Sequence, residues 1–443
     1  MEAYLGQNIP KLGFGLMRLP MAGENIDIEQ VKVMADRFLD RGFSYFDTAY
    51  GYNGGASEAA VKQVLSDRYP RDRFLLATKL PAWDHARTKK EAEQMFYTSL
   101  ERTGAGYFDF YLLHNLGEHR THFFDDFDLW NFVQERKKEG LIRHVGFSMH
   151  DKAEQLDKVL TAHPEVEFVQ LQINYADWDS PSVESRKNYE VARRHGKPVI
   201  IMEPVKGGTL AKPPRAVAEL LKSANPNASL PSWAIRYAAS LEGVITVLSG
   251  MSNAEQMEDN LSYMEHFQPL TPEEQAVIAQ AQALLAATPT IACTSCKYCV
   301  SGCPKDVAIP GIFRAVNDYL LYGWLDDLLS DPEAVFRMGI AGFAPIARAA
   351  GALLIQAHPY RHSCTPAIAR YLDGVEVRNC NPRHNSRNER AEEYAQEYGL
   401  IRLSGSDCHR TEDIGLGGIL TDYLPSDALS MTRLLRSRRY ELL

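Results

Sequence analysis

Cysteine is absent before Cys293 in this 443-residue sequence, so no disulfide framework holds its N-terminal part. Basic residues are not in excess either. The sequence has 48 Lys+Arg against 57 Asp+Glu, a net charge of −9, which argues against general attraction to nucleic acid. It has no apolar run long enough to span a bilayer, and no basic segment followed by an apolar run at the start. We therefore expect a cytoplasmic protein with neither a membrane nor a nucleic-acid partner.

Short β-rich runs alternate with amphipathic helical segments over the first 250 residues. The runs are largely apolar, as expected for strands buried on both faces. Eight of them are predicted as strands: Lys11–Leu16, Phe43–Asp47, Phe74–Lys79, Phe108–His114, His144–Ser148, Phe168–Gln172, Val199–Glu203 and Val244–Leu248. Eight strand–helix units predict a (β/α)8 TIM barrel, in which polar residues at the carboxyl ends of strands are catalytic candidates.

Asp47, Lys79 and His114 stand at predicted strand ends, and Tyr52 follows Asp47 by five residues. A tyrosine can protonate a carbonyl oxygen if its pKa is drawn down from about 10, and a nearby ammonium has that effect. A carboxylate can hold the ammonium in place, and a histidine can orient the carbonyl. Together the four residues predict an acid-catalysed carbonyl reaction at one end of the barrel.

Over residues 1–285 the sequence resembles the aldo/keto reductase family. The resemblance rests on motifs that occur in family order: Gly13-Phe14-Gly15, Phe46-Asp47-Thr48-Ala49 with Tyr52 and Ser57-Glu58, Ala77-Thr78-Lys79, Tyr111-Leu112-Leu113-His114, Gly146-Phe147-Ser148, and Gln170 with Asn174. It implies NAD(P)H-dependent reduction of a small-molecule carbonyl. Tyr52 would be the proton donor, tuned by Lys79 and Asp47, and His114 would position the carbonyl.

The same resemblance implies a nicotinamide site across the top of the barrel. It assigns contacts with the cofactor to Ser148, Gln170, Met202, Ser249, Gly250 and Asn253. Met202 stands where the family often has an aromatic ring. The segment after the eighth strand, 249–256, has no Lys or Arg for a 2′-phosphate, which needs a cationic partner. NADP and NAD therefore both stay open as cofactors.

Four cysteines fall within eleven residues: Cys293, Cys296, Cys299 and Cys303, followed by Pro304. This is the spacing of a bacterial-type ferredoxin run, and it predicts one [4Fe–4S] cluster. A single run leaves the fourth ligand open between Cys303 and a later cysteine, Cys364, Cys380 or Cys408. A purely structural cluster and an electron-transferring one with a redox partner are equally compatible with this spacing.

The C-terminal segment resembles the C-terminal half of the polymerase-and-histidinol-phosphatase (PHP) family of metal-dependent phosphoesterases. The resemblance rests on Ala357-His358-Pro359, Gly405-Ser406-Asp407-Cys408-His409 and Ile414-Gly415. It implies that His358, Asp407 and His409 are metal ligands. The N-terminal half of that family's barrel, which supplies the other ligands, has no counterpart here. We therefore expect a weak divalent-metal site or none.

These observations predict an α/β protein in three parts: the barrel at 1–285, a small helical iron–sulfur extension at 286–330, and a partial α/β PHP-like segment at 331–443. The leading function is NAD(P)H-dependent carbonyl reduction. Two alternatives are a nicotinamide and iron–sulfur redox sensor without turnover, and a metal-dependent phosphoesterase completed by a partner.

Overall fold

The computed structural model describes Leu5 and residues 8–287, 332–349, 351–425 and 428–443. The chain divides into two compact units, Met1–Ala287 and Thr288–Leu443. The predicted iron–sulfur extension, 286–330, lies outside the described residues except for its first two positions. Within the described residues, no helix is both long enough and apolar enough to cross a membrane.

The N-terminal unit alternates strands with helices. Its strands are β1 Leu12–Gly15, β2 Met21–Ala22, β3 Asn25–Ile26, β4 Tyr45–Asp47, β5 Leu75–Leu80, β6 Phe108–Leu116, β7 Ile142–Met149, β8 Phe168–Gln172, β9 Val199–Met202 and β10 Val244–Ser249. Its α-helices are α1 Ile28–Asp40, α2 Ala56–Val61, α3 Ala82–His85, α4 Lys89–Thr103, α5 Thr121–Asp126, α6 Leu129–Lys138, α7 Ala153–Ala162, α8 Ser185–Arg194, α9 Arg215–Ala224, α10 Leu230–Ala239, α11 Ala254–Met264 and α12 Pro272–Ala287.

Eight of these strands form a closed barrel in the order β1-β10-β9-β8-β7-β6-β5-β4, with all neighbours parallel. The predicted (β/α)8 barrel is confirmed. Each of the eight predicted runs coincides with one barrel strand, and no strand end differs from the prediction by more than two residues. β2 and β3 form a separate antiparallel hairpin.

Side chains alternate between the barrel interior and the helix-covered outer face, because successive residues of a strand point to opposite faces. The interior is filled by Tyr45, Ala77, Phe110, Leu112, Phe168, Ile200, Ile245 and Leu248. Gly146 is required for this packing, since a Cβ there would lie 2.5 Å from the Phe168 ring. In a regular strand, the residue two positions beyond an interior side chain also points inward and lies nearer the carboxyl end of the barrel.

The C-terminal unit contains a three-stranded parallel sheet in the order β11-β12-β13, formed by Ile355–Gln356, Gly374–Asn379 and Ile401–Gly405. A second, antiparallel pair joins β14 Ile419–Leu420 to β15 Glu441–Leu442. The described helices are α13 Pro332–Ala349, α14 Asn388–Glu397 and α15 Ala428–Ser437. Helix α14 connects β12 to β13 and packs on a small core formed by Leu372, Val375, Val377, Ala391, Ala395 and Leu400.

Candidate active site

The predicted catalytic residues follow directly from the alternation in the barrel. Asp47, Lys79 and His114 each stand two positions beyond an interior residue, namely Tyr45, Ala77 and Leu112. In the register, Asp47 pairs with Ala77, and Lys79 pairs with Leu112. Parallel strands bring their carboxyl ends to one edge, so three residues from distant parts of the sequence meet at the top of the barrel.

Lys79 is the centre of this group. Its ammonium Nζ lies 2.6 Å from Asp47 Oδ1 and 2.7 Å from the Thr48 carbonyl oxygen. The same Nζ donates to the Tyr52 hydroxyl at 3.3 Å. Lys79 is fully buried and Asp47 is 3% exposed, so water does not screen the ion pair.

Tyr52 begins a single 3-10 turn, Tyr52–Gly55, in the loop after β4. Asn53 and Gly54 have left-handed φ angles of 51° and 63°, which turn the chain back over the barrel. The Tyr52 ring lies with its centroid 4.7 Å from Lys79 Nζ and 6.0 Å from the His114 ring, edge to face. The structure thus brings the four predicted catalytic residues together: Lys79 contacts both Asp47 and Tyr52, and the His114 ring lies beside the Tyr52 ring.

The pKa of the Tyr52 hydroxyl differs from the sequence-based prediction. Burial raises the pKa of Tyr52 above 10.0, although the Lys79 ammonium acts in the opposite direction. The prediction of a lowered pKa is wrong because the loss of solvent outweighs the cation. Tyr52 is therefore a protonated hydroxyl at neutral pH, and the ammonium beside it is placed to stabilise the phenolate left by proton donation.

Lys79 and His114 hold complementary charge states. Burial favours the neutral amine of Lys79, but the Asp47 carboxylate and the Tyr52 oxygen raise its pKa above 10.5. Burial and the Lys79 charge lower the pKa of His114 well below 6.5. His114 Nδ1 is buried and has no hydrogen-bond partner among the described residues. The site therefore pairs a fixed cation with a neutral imidazole.

The predicted nicotinamide residues lie on the neighbouring strands. Ser148 on β7 pairs with Gln170 on β8 in the register. The amide nitrogen Nε2 of Gln170 donates to Met202 Sδ at 3.5 Å, while its Oε1 is buried without a hydrogen-bond partner among the described residues. Ser148 Oγ accepts from the Asn115 backbone N–H at 2.8 Å. A carboxamide N–H₂ would supply the hydrogen bond that this buried oxygen of Gln170 lacks.

Comparison with known proteins decides the family. The aldo/keto reductase family model matches residues 11–283, which is more than half of the chain. The chain belongs to the aldo/keto reductase family. This makes it an oxidoreductase by family, and the barrel described above is the family's fold.

Individual relatives of this aldo/keto reductase are distant. An uncharacterized oxidoreductase of Schizosaccharomyces pombe is 26% identical over 266 residues, 57% of this chain and 81% of that protein. An aldo-keto reductase of Bacillus halodurans in its holo form has a TM-score of 0.52 at 24% identity, covering 62% of this chain and 93% of its own. An aldo-keto reductase of Klebsiella pneumoniae in complex with NADPH has a TM-score of 0.51 at 21% identity, covering 63% and 95%. Some curated relatives match over only about half of their own length.

In this aldo/keto reductase, two of the three predicted cofactor residues at the end of β10 and in the following loop already make hydrogen bonds within the protein. The Ser249 hydroxyl accepts from Asn260 Nδ2 at 2.9 Å, and the Asn253 side chain caps α11 by accepting from the Gln256 N–H at 2.9 Å. Both predicted cofactor residues thus already have structural partners. Gly250 has no side chain, and its backbone lies beneath Arg18.

Arg18 is a candidate cofactor residue that the sequence analysis missed. A Cβ placed on Gly250 would lie 3.5 Å from Arg18 Cβ, and one on Gly207 would lie 3.4 Å from Arg18 Nη2. The side chain therefore bridges the loops after β9 and β10. Arg18 has no ion pair or side-chain hydrogen bond among the described residues. Its only sequence signal is that it stands three residues after β1, on the same edge as the catalytic group.

The predicted cluster ligands Cys293, Cys296, Cys299 and Cys303 lie outside the described residues. The later cysteines are described, and they are free thiols in different environments. Cys364 Sγ lies 3.5 Å from His358 Nδ1, and Cys380 Sγ lies 3.6 Å from Ser404 Oγ.

The three candidate metal ligands of the C-terminal segment, His358, Asp407 and His409, do not form a metal-binding group in the described structure. Among the residues that the structure describes, no group of three or more His, Cys, Asp or Glu side chains could hold a metal ion. The Asp407 carboxylate is bound by Arg361, which lowers the pKa of Asp407 against the opposing effect of burial. The His409 side chain is 62% exposed, and the His358 ring is engaged with Cys364.

Part of the C-terminal segment is similar to a second family. The model of the PHP-associated family matches residues 385–439, which supports the resemblance found in the sequence. In the described part of this segment, Arg361 binds the carboxylate of Asp407, the one acidic candidate ligand, and this contact competes with metal binding there.

Proposed function

We propose that this protein reduces an aldehyde or ketone with a hydride from NADPH, and that Tyr52 donates the proton. The observation that carries the proposal is the contact of Lys79 Nζ with both Asp47 and the Tyr52 hydroxyl, beside a neutral His114. The direct test is carbonyl-dependent oxidation of NADPH, with NADH assayed in parallel.

The residues present fit a nicotinamide cofactor. Gln170 Oε1 is a buried acceptor without a partner among the described residues, and a carboxamide N–H₂ would satisfy it. Met202 is half-buried and packs against the barrel interior, where it offers an apolar surface. Ser148, Gln170 and Met202 would hold the nicotinamide end, and it supplies a hydride when bound.

The proton path uses the chain's own residues. The Tyr52 O–H bond breaks as its proton passes to the carbonyl oxygen, and the resulting phenolate lies 3.3 Å from the Lys79 ammonium. Asp47 holds that ammonium through a 2.6 Å contact, so it cannot rotate away. A neutral His114 can donate a hydrogen bond that orients the carbonyl without adding a second cation.

Arg18 supports NADP over NAD. A phosphate needs a cationic partner, and a guanidinium can bind it with two parallel hydrogen bonds. The segment 249–256, which begins at the end of β10, has no Lys or Arg of its own. The side chain of Arg18, three residues after β1, lies next to Gly250 of this segment, and its guanidinium lies next to Gly207. We propose that Arg18 contacts the 2′-phosphate, which NADP has and NAD lacks. The Klebsiella pneumoniae neighbour, which was solved with NADPH, agrees with this choice.

The pH dependence of reduction should show a broad plateau. Proton donation requires a protonated Tyr52, whose pKa is raised above 10.0, and a neutral His114, whose pKa is lowered below 6.5. We expect kcat/KM to stay constant between these two values, to fall as pH rises through the Tyr52 pKa, and to fall as pH drops through the His114 pKa. Initial rates in overlapping buffers measure this, and a titration inside the interval would contradict the assignment. In His114→Gln the acid limb should vanish.

We also propose that Cys293, Cys296, Cys299 and Cys303 bind one [4Fe–4S] cluster. The support is their ferredoxin-type spacing, and Cys303 is the simplest fourth ligand because it completes the run. The cluster would lie in the proposed extension at 286–330, which follows the barrel at 1–285 and precedes the PHP-like segment at 331–443. Such thiolates fit a reducing compartment such as the cytoplasm.

The cluster predicts four iron and four sulfide per chain in anaerobically purified protein. Cys296→Ser should lower both contents, whereas Cys380→Ser should leave them unchanged. Equal iron contents in wild type and Cys296→Ser would refute the cluster. Electron paramagnetic resonance before and after reduction then distinguishes a redox-active cluster, which needs an electron-transfer partner, from a structural one.

A further inference from the structure

One side of the candidate active site carries an unpaired guanidinium. Arg120 precedes α5, in the loop that follows β6 and His114. It is only partly exposed. Among the described residues, no carboxylate lies within 4.0 Å of it, and its side chain makes no hydrogen bond. A half-buried arginine without an anion partner is uncommon, because a desolvated charge is normally paired.

The position of Arg120 is fixed by an aromatic side chain. Its Cζ lies 4.5 Å from the ring centroid of Trp83, which belongs to α3 in the loop after β5. The indole Nε1 of Trp83 donates to the His114 carbonyl oxygen at 2.8 Å. Stacking occupies the face of the guanidinium and leaves its N–H edges for a planar anion. A chain of two contacts thus ties the free cation to the residue proposed to orient the carbonyl.

Two acidic side chains of the neighbouring loops, Asp84 and Asp151, already have other partners. Asp84 lies 3.1 Å from His85 Nε2, and Asp151 accepts the backbone N–H groups of Glu118 and Lys152 at 2.7 Å each. The charge of Arg120 also reaches the site, where it contributes with burial, Lys79 and His150 to the lowered pKa of His114. The mechanism proposed above has no use for this charge.

We propose that the substrate carries an anionic group besides its carbonyl, and that Arg120 binds this anion. A carboxylate and a phosphate are both planar or multidentate acceptors for a guanidinium, so either anion meets the requirement. This inference rests on the proposed carbonyl reduction and adds the substrate class to it. Arg120 is a specificity-determining residue in this account, and Tyr52 remains the proton donor.

Matched substrate pairs test the inference. 4-Carboxybenzaldehyde is compared with its methyl ester, and glyceraldehyde 3-phosphate is compared with glyceraldehyde. Wild type should prefer the charged member of at least one pair, and the pair that responds identifies the anion as carboxylate or phosphate. In Arg120→Met, kcat/KM for the preferred anion should fall about 10- to 100-fold, through KM, as expected for loss of a charge-assisted hydrogen bond. Rates for the neutral members should change less than about twofold.

Two further variants separate binding from structural effects. Arg120→Lys keeps the charge and should restore part of the affinity for the anion. Arg194→Met removes the same charge from the last residue of α8, whose exposed partner is Asp157, at the opposite end of the barrel. Arg194→Met should leave the preference for the charged substrate unchanged in both substrate pairs.

The outcomes are distinct. If wild type reduces charged and neutral members equally, or if Arg120→Met keeps the wild-type preference, the inference is overturned while carbonyl reduction stands. If no carbonyl in either pair is reduced with NADPH or NADH, the proposed function fails, and the substrate class fails with it. Reduction of the neutral aldehydes, and its loss in Tyr52→Phe, tests the proposed carbonyl reduction independently of Arg120.

Discussion

Replacing Tyr52 with phenylalanine should lower kcat for carbonyl reduction about 100- to 10,000-fold, the usual contribution of a positioned general acid. The substitution removes one oxygen atom, whose described polar contact is the 3.3 Å hydrogen bond from Lys79. The Asp47–Lys79 ion pair does not involve that oxygen and stays intact. Steady-state rates at saturating NADPH measure the loss, and binding of NADPH measured by fluorescence should be unchanged.

Tyr50→Phe is the matched control for this variant. Tyr50 lies in the same loop, but its ring packs against Arg102 at 4.4 Å and against His85 at 5.5 Å. Loss of its hydroxyl should change kcat by no more than a few-fold. Equal rates in Tyr52→Phe and Tyr50→Phe would show that the proton comes from elsewhere.

Lys79→Met should destabilise the barrel by about 3–5 kcal/mol, the typical cost of removing one partner from a buried ion pair. Asp47, which is 3% exposed, then has no cation to compensate its charge. Burial already raises the folded-state pKa of Asp47 in the wild type, against the opposing effect of Lys79, and loss of Lys79 raises that pKa further. A group with a raised folded pKa stabilises the fold at low pH and loses that contribution as pH rises. The deficit relative to wild type should therefore be smaller in acid than at neutral pH.

Urea denaturation followed by circular dichroism at the two pH values measures this effect. The double variant Asp47→Asn/Lys79→Met removes both charges and should recover much of the lost stability. Lys62→Met serves as a control, because it breaks an ion pair with Asp67 in which both side chains are about half exposed. That pair should contribute about 0–1 kcal/mol. A Lys79→Met protein as stable as Lys62→Met would contradict a buried ion pair at the centre of the site.

Lys79→Met should also lose activity. Without the ammonium, nothing stabilises the phenolate formed at Tyr52, and the pKa of Tyr52, already raised by burial, would rise further. We expect a fall in kcat comparable to that of Tyr52→Phe. The two losses should not add in the double variant, because the residues act as one unit.

The barrel could be predicted because its signals are local. Each strand is visible in the sequence as a short apolar run. The alternation of side chains then predicts that Lys79, two residues after Ala77, and His114, two residues after Leu112, reach the site. The ion pair between Asp47 and Lys79 follows from that geometry together with the parallel register.

The remaining features depend on distances that the sequence does not encode locally. The raised pKa of Tyr52 reflects how completely the fold removes solvent, which no spacing reveals. Arg18 reaches Gly250 across the closure of the barrel between β1 and β10. Arg361, 46 residues from Asp407 in the sequence, donates a hydrogen bond to its carboxylate. This contact occupies a predicted metal ligand, and only the three-dimensional structure reveals it.

The central claim is that a hydride from the nicotinamide and a proton from Tyr52 reduce a carbonyl in this site. The most direct measurement uses NADPH with both C4 hydrogens replaced by deuterium. Anaerobic protein reduces the aldehyde pairs above, and mass spectrometry of the alcohol reports the label. We predict one deuterium at the carbinol carbon in wild type, and at least a hundredfold slower appearance of that product in Tyr52→Phe. An alcohol without deuterium, or no alcohol from any aldehyde with either cofactor, would contradict the account.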